Sequence, residues 1–198
     1  MSTLARSLVL NFADYLAYEQ RGDVRHEYVA GHLYAMAGGS ETHNRIALNV
    51  GFHLRAVARG GTCGVFIADM KVRVDTQDVC YYPDVAVVCD PSETNAYVKR
   101  RPCLLAEVLS PSTQTIDLRE KWLAYRVIPG LAYYLVVSAD RRRVQVHRRG
   151  AGGDWEVALL GPDETLEIRC GDLVANLNLD LIYEDVAVPA AKEATGWD

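Results

Sequence analysis

Asp84 and Glu107 are the two residues of this chain best placed to do chemistry. Asp84 follows Pro83 at the mouth of the apolar run Val85-Ala-Val-Val88, and Glu107 lies inside Leu104-Leu-Ala-Glu-Val-Leu109. A carboxylate in such company is costly to bury alone, so it needs a partner, a proton or a cation. Neighbouring strands would bring the two acids together, where they repel and raise one pKa unless a divalent cation neutralises them. An all-oxygen pair with room for water suits Mg2+ or Mn2+ better than Zn2+. Asp117 and Lys121 stand four apart, so on a helix they share a face and pair, as ordinary surface ion pairs also do.

Taken together, Pro83-Asp84, Glu107-Val-Leu-Ser-Pro-Ser-Thr113, Asp117, Lys121 and Tyr125 resemble the Uma-two family of restriction-endonuclease-like proteins, within the PD-(D/E)XK nuclease superfamily. Gly31-His-Leu-Tyr34, His43 opening a helix, and Tyr133-Tyr-Leu-Val-Val137 extend the resemblance over most of the chain. It departs from the superfamily's short form at Leu109, where Glu-x-Lys would place a lysine. Either the site is inactive or the amine comes from elsewhere, and the resemblance implies that Lys121 on the following helix supplies it. It further implies that Asp84 and Glu107, with the Val108 carbonyl, hold Mg2+, for which Mn2+ would substitute. His43 and Gln114 become neighbours of the site, with Glu41 as an outer contact and Asp117 as a partner of Lys121.

The chain has 198 residues, 49% of them hydrophobic, enough for one domain over 1–198 with a substantial core and a frayed end over 188–198. It lacks a spanning apolar run, and the segment from Met1 meets Asp14 too soon for a signal peptide, so a cytoplasmic protein without membrane contact is expected. Five cysteines, none spaced Cys-x-x-Cys, read as reduced and buried rather than as a zinc site or disulfide framework. The net charge of -5 does not advertise a nucleic-acid partner, although a bound cation and local basic clusters would offset it. Lys99-Arg100-Arg101, between the two acidic strands, is the best-placed cluster for phosphate contact; Arg141-Arg-Arg143 and Arg148-Arg149 read as solvated.

The elements that must position these residues follow from patterning. Asn11 caps a first helix reaching Gly22, and His26-Ala30 with His32-Met36 form a hairpin about Ala30-Gly31, His26 and His32 facing outward. Ser40 caps a helix with its apolar stripe at Ile46, Val50, Leu54 and Val57, which puts His43 on the buried side. Cys63–Ala68 and Lys71–Val74 read as a strand pair. Asp69-Met-Lys71 spells Asp-x-Lys, but no Pro-Asp strand precedes it and an outward Lys71 is ordinary in an alternating strand. A helix spans about 116–127, a strand 132–138, and 143–147 alternates with His147 to solvent. Segments 155–160 and 165–168 complete a meander, and 173–183 reads as a short helical end.

The expected architecture is α/β: a restriction-endonuclease-like mixed sheet with the Asp84 and Glu107 strands central, flanking helices and a C-terminal β meander. The expected activity is Mg2+-dependent hydrolysis of DNA phosphodiesters, with a homodimer suited to cutting a duplex. The competing readings are a catalytically inactive nuclease-fold module that binds nucleic acid or drives assembly, and a β-rich scaffold unrelated to nucleic acid.

Overall fold

The computed structural model describes residues 9–109 and 117–190. Helix α1 spans Phe12–Glu19, and the Asn11 side chain accepts the Asp14 N–H at its start. Strands β1 (His26–Val29) and β2 (His32–Ala35) form the expected hairpin. Its turn residues, Ala30 and Gly31, both have positive φ, the geometry whose twist matches that of the strands. Helix α2 (Glu41–Ala58) is capped by Ser40, and its buried stripe is Ile46, Val50, Leu54 and Ala58. Val57 is half exposed, so the stripe drifts to Ala58, as a period of 3.6 requires.

The remaining strands are β3 (Gly64–Ile67), β4 (Lys71–Val74), β5 (Val79–Tyr81), β6 (Val85–Val88), β7 (Val98–Lys99) and β8 (Leu104–Leu109). After them come a π turn (Asp117–Lys121) leading into helix α3 (Trp122–Tyr125), then β9 (Tyr133–Ser138), β10 (Val144–Arg149) and β11 (Trp155–Leu159). Strands β12 (Leu166–Cys170) and β13 (Leu173–Leu177) and helix α4 (Leu179–Ile182) complete the described chain.

Three sheets result. The largest has the order β11-β10-β9-β8-β6-β3, parallel only between β8 and β9, so the acidic strands are central and the sheet is mixed. The second has the order β2-β1-β5-β4-β7, and β12-β13 stands as a separate hairpin. Along β8, Leu104, Ala106 and Val108 face a core shared with α2 and the β12-β13 hairpin. Leu105 and Leu109 face a second core with Tyr81, Tyr125, Ile128 and Tyr134. Strict alternation therefore points Glu107 into the second core, between the two large sheets.

Several expectations are corrected. β3 and β4 do not pair: β3 joins β6, whereas β4 joins β5 and β7. The meander stops at β11, because β12 pairs with β13, so residues 173–177 are a strand and only Leu179–Ile182 is helical. His26 is not a free outward residue, since its ring and backbone N–H both meet Glu19 Oε1. His147 is buried among Trp122, Tyr134 and Trp155 rather than solvent-facing, because this cluster covers the outer side of β10.

The cysteine reading is also corrected. Cys63–Cys89 and Cys103–Cys170 are disulfides, and only Cys80 is free. Strand register, invisible in sequence spacing, sets Cys63 opposite Cys89 one position beyond the Gly64–Val88 pair. Closing 67 residues of chain should make Cys103–Cys170 worth about 4 kcal/mol of unfolding free energy, so Cys170→Ser should lose that amount in urea titrations without reductant.

Burial pushes the His147 imidazole down from 6.5 to about 4. Below its ordinary pKa the unfolded chain takes up a proton that the folded chain refuses. Stability present above about pH 6.5 should thus fall by roughly 3 kcal/mol on descent to about pH 4, and then level off. Urea titrations across that range should show the slope in the native protein and lose it in His147→Leu.

Candidate active site

The antiparallel register of β6 and β8 pairs Val85 with Ala106, so the next position sets Asp84 opposite Glu107. The two side chains therefore lie on one face as cross-strand neighbours. The Val108 N–H donates to Asp84 Oδ2 at 2.7 Å, locking the carboxylate against the partner strand. Asp84 Oδ1 lies 2.9 Å from His43 Nε2 at the start of α2. That hydrogen bond raises the His43 pKa against the opposing effect of burial. A Cβ at Gly39 would lie 2.8 Å from His43 Cδ2, so the glycine before the Ser40 cap leaves space for the ring.

Glu107 is only 4% exposed. The Tyr125 hydroxyl donates to Oε1 at 2.9 Å, and Lys121 Nζ donates to Oε2 at 3.3 Å. Burial, then the neighbouring Glu107, hold the Tyr125 phenol well above its ordinary pKa, so it remains a donor. Lys121 is itself buried and also forms an ion pair with Glu27 Oε1 of β1 at 2.9 Å. The Tyr81 ring lies 5.5 Å from the ammonium, and burial raises the Tyr81 phenol to about 12. Glu107 and Glu27 thus share one lysine, while Asp84, on the same face as Glu107, pairs with His43 at the start of α2.

The donors are all oxygen, as Mg2+ or Mn2+ prefers. Among the described residues no three His, Cys, Asp or Glu side chains form a preassembled metal cage.

The family described as "Putative restriction endonuclease", Uma2, matches residues 12–180. The chain belongs to the Uma2 family. Two uncharacterized proteins of Synechocystis sp. are similar to it. One is 33% identical over 88% of this chain and 91% of its own length, and the other is 28% identical over 84% and 97%. A crystal structure titled as a putative nuclease from Anabaena variabilis superposes with a TM-score of 0.70 at 16% identity, covering 88% of this chain and 98% of that one. The likeness is one of fold, and it makes the mixed α/β architecture that of a nuclease-fold structure.

The other sequence candidates divide. Gln114 lies outside the described residues, and Asp117 begins the π turn that carries Lys121. Glu41 is exposed and paired with Arg45. Lys99 is buried and donates to the carbonyls of Glu93 and Asn95, Arg100 pairs with Asp75, and Arg101 pairs with Asp90. That cluster is therefore committed to intramolecular partners. Sequence reasoning missed Glu27, because a glutamate in an alternating hairpin strand is ordinary until the second sheet is known to face β8. It placed Tyr125 in the family pattern without a partner, although a fully buried tyrosine needs an acceptor for its hydroxyl.

Leaving Glu107 Oε1 without its donor should cost Tyr125→Phe about 1–3 kcal/mol. Lys121→Met, which removes the cation that Glu27 and Glu107 share, should cost more, about 3–5 kcal/mol. Urea unfolding at neutral pH checks both magnitudes and their order.

Proposed function

We propose that the protein is a Mg2+-dependent endonuclease that hydrolyses phosphodiester bonds of DNA. The observation that carries this reading is the pairing of Asp84 with Glu107 across two strands while Lys121, from the next helical segment, reaches the same carboxylate. Lys121 accounts for Leu109: the amine that the short motif lacks is supplied one helix later. Uma2 membership supports the nuclease assignment.

Asp84 and Glu107 would hold the cation, which when bound supplies Lewis-acid polarisation of the phosphate and a lowered pKa for water. The protein's own residues do the rest. The Val108 N–H and His43 fix the orientation of Asp84, and Tyr125 fixes that of Glu107, so neither acid must reorganise when phosphate arrives. Lys121 offers a buried ammonium as donor to a non-bridging phosphate oxygen, where negative charge accumulates during in-line attack. Glu27 keeps that ammonium in place beside Glu107. A homodimer would carry two such sites, one for each strand of a duplex. Among the described residues no helix is long and apolar enough to cross a membrane.

Conversion of supercoiled plasmid to nicked and linear forms tests the reading. It should proceed with Mg2+ or Mn2+, stop with a chelator, and fall at least about a hundredfold in Asp84→Asn, Glu107→Gln and Lys121→Ala variants shown to be folded. Cleavage that persists in all three variants would refute it, as would cleavage of single-stranded RNA with duplex DNA left intact.

A further inference from the structure

Four of the five cysteines converge on the turn between β12 and β13. A Cβ on Gly171 in that turn would lie 2.9 Å from Cys89 Cβ and 3.4 Å from Cys63 Sγ, while Cys170, one residue earlier, is bonded to Cys103. Both disulfides thus pack on one short segment. Among the described residues the hairpin makes no ladder with either large sheet, so Cys103–Cys170 is a covalent cross-link, beside the main chain from β11, between it and the sheet that carries Glu107. Its other attachments are apolar, through Ile168, Leu173, Ala175 and Leu177, and polar, through Asp172, which accepts from the Thr62 N–H and hydroxyl, and the Arg169 N–H, which donates to the Tyr133 hydroxyl.

The two halves of each bridge differ in access. Cys63 and Cys170 are buried, whereas Cys89 and Cys103 are half-buried and line an open pocket of about 460 Å³ with Asp90, Arg101 and Gly130. An incoming thiolate therefore reaches Cys89 and Cys103 from solvent, at a pocket whose two charged groups, Arg101 and Asp90, are paired with each other at 3.2 Å. The buried sulfurs stand behind them in the leaving position.

We propose that Cys89 and Cys103 form a thiol-exchange site at which a dithiol reductant opens both disulfides and frees the β12-β13 turn from the nuclease-fold sheet. One thiolate of the reductant attacks Cys103 Sγ, the Sγ–Sγ bond breaks, and its electron pair leaves on Cys170 Sγ, which takes a proton. The reductant's second thiol then attacks its own sulfur in the mixed disulfide, expelling Cys103 as thiolate and closing the reductant into a disulfide. The same sequence at Cys89 releases Cys63. Each bridge consumes two electrons and two protons, and the dithiol is oxidised by the same amount. Cys80 takes no part: it is fully buried and burial raises its thiol to about 12.

The test begins with protein purified without reductant, which should show one thiol after denaturation. Five thiols would overturn the proposal at once. Excess reduced glutathione, followed by acid quenching and peptide mapping, should place the mixed disulfide on Cys103 and Cys89 at least tenfold more often than on Cys170 and Cys63. The reverse preference, or no reaction without denaturant, would overturn it. After dithiothreitol, amide exchange across 169–173 should quicken at least tenfold while β8 stays protected. In Cys103→Ser/Cys170→Ser exchange should already be fast. Should that variant not fold, the native-protein arms decide alone. Unchanged exchange in the reduced protein, or stoichiometric Zn2+ uptake that keeps the turn protected, would contradict the release of the turn.

Discussion

A carboxylate in the middle of an apolar strand sets the terms for this fold. Glu107 points between two sheets, and its neighbours on that face of β8 are Leu105 and Leu109. Left alone there it would be too costly to keep charged, so the chain must return donors to it. The segment after β8 does this twice: Lys121 ends the π turn and Tyr125 lies four residues on, so both reach the same carboxylate from one helical face. Ile128 and Leu131 then seal that face before β9 leaves parallel to β8.

The second sheet is drawn in by the same constraint. Lys121 is too deep to be solvated, so Glu27 of β1 balances it, and Tyr81 of β5 covers it with an aromatic face. The five-stranded sheet therefore closes the site rather than merely stacking on it. Asp84 sits at the open end of the arrangement, held by the neighbouring strand's backbone and by the first turn of α2. Strand register fixes the acids, and helix return fixes the lysine.

Much of this was legible in the sequence because it is local. An acid that interrupts an apolar run announces itself, as Asp84 and Glu107 did. The Ser40 cap, the Ala30-Gly31 turn and the apolar stripe of α2 each rest on nearby residues, and the structure reproduces them except that Ala58 takes the place of Val57. What stayed hidden depends on long-range register. Glu27 lies 80 positions before Glu107 in the chain and meets Lys121 only because two sheets face one another. The disulfides and the β12-β13 pairing are of the same kind. His147 shows the converse failure, since strict alternation predicts a solvent face that Trp122 and Trp155 in fact cover.

Calorimetric titration of Mn2+ into the folded protein, beside Asp84→Asn and Glu107→Gln and repeated with duplex DNA present, tests the central claim without needing turnover. The account predicts saturable binding to the native chain that weakens at least tenfold in either variant, because each acid supplies part of one site. Binding of equal strength in all three proteins, with and without DNA, would contradict it and leave the paired carboxylates a purely structural feature.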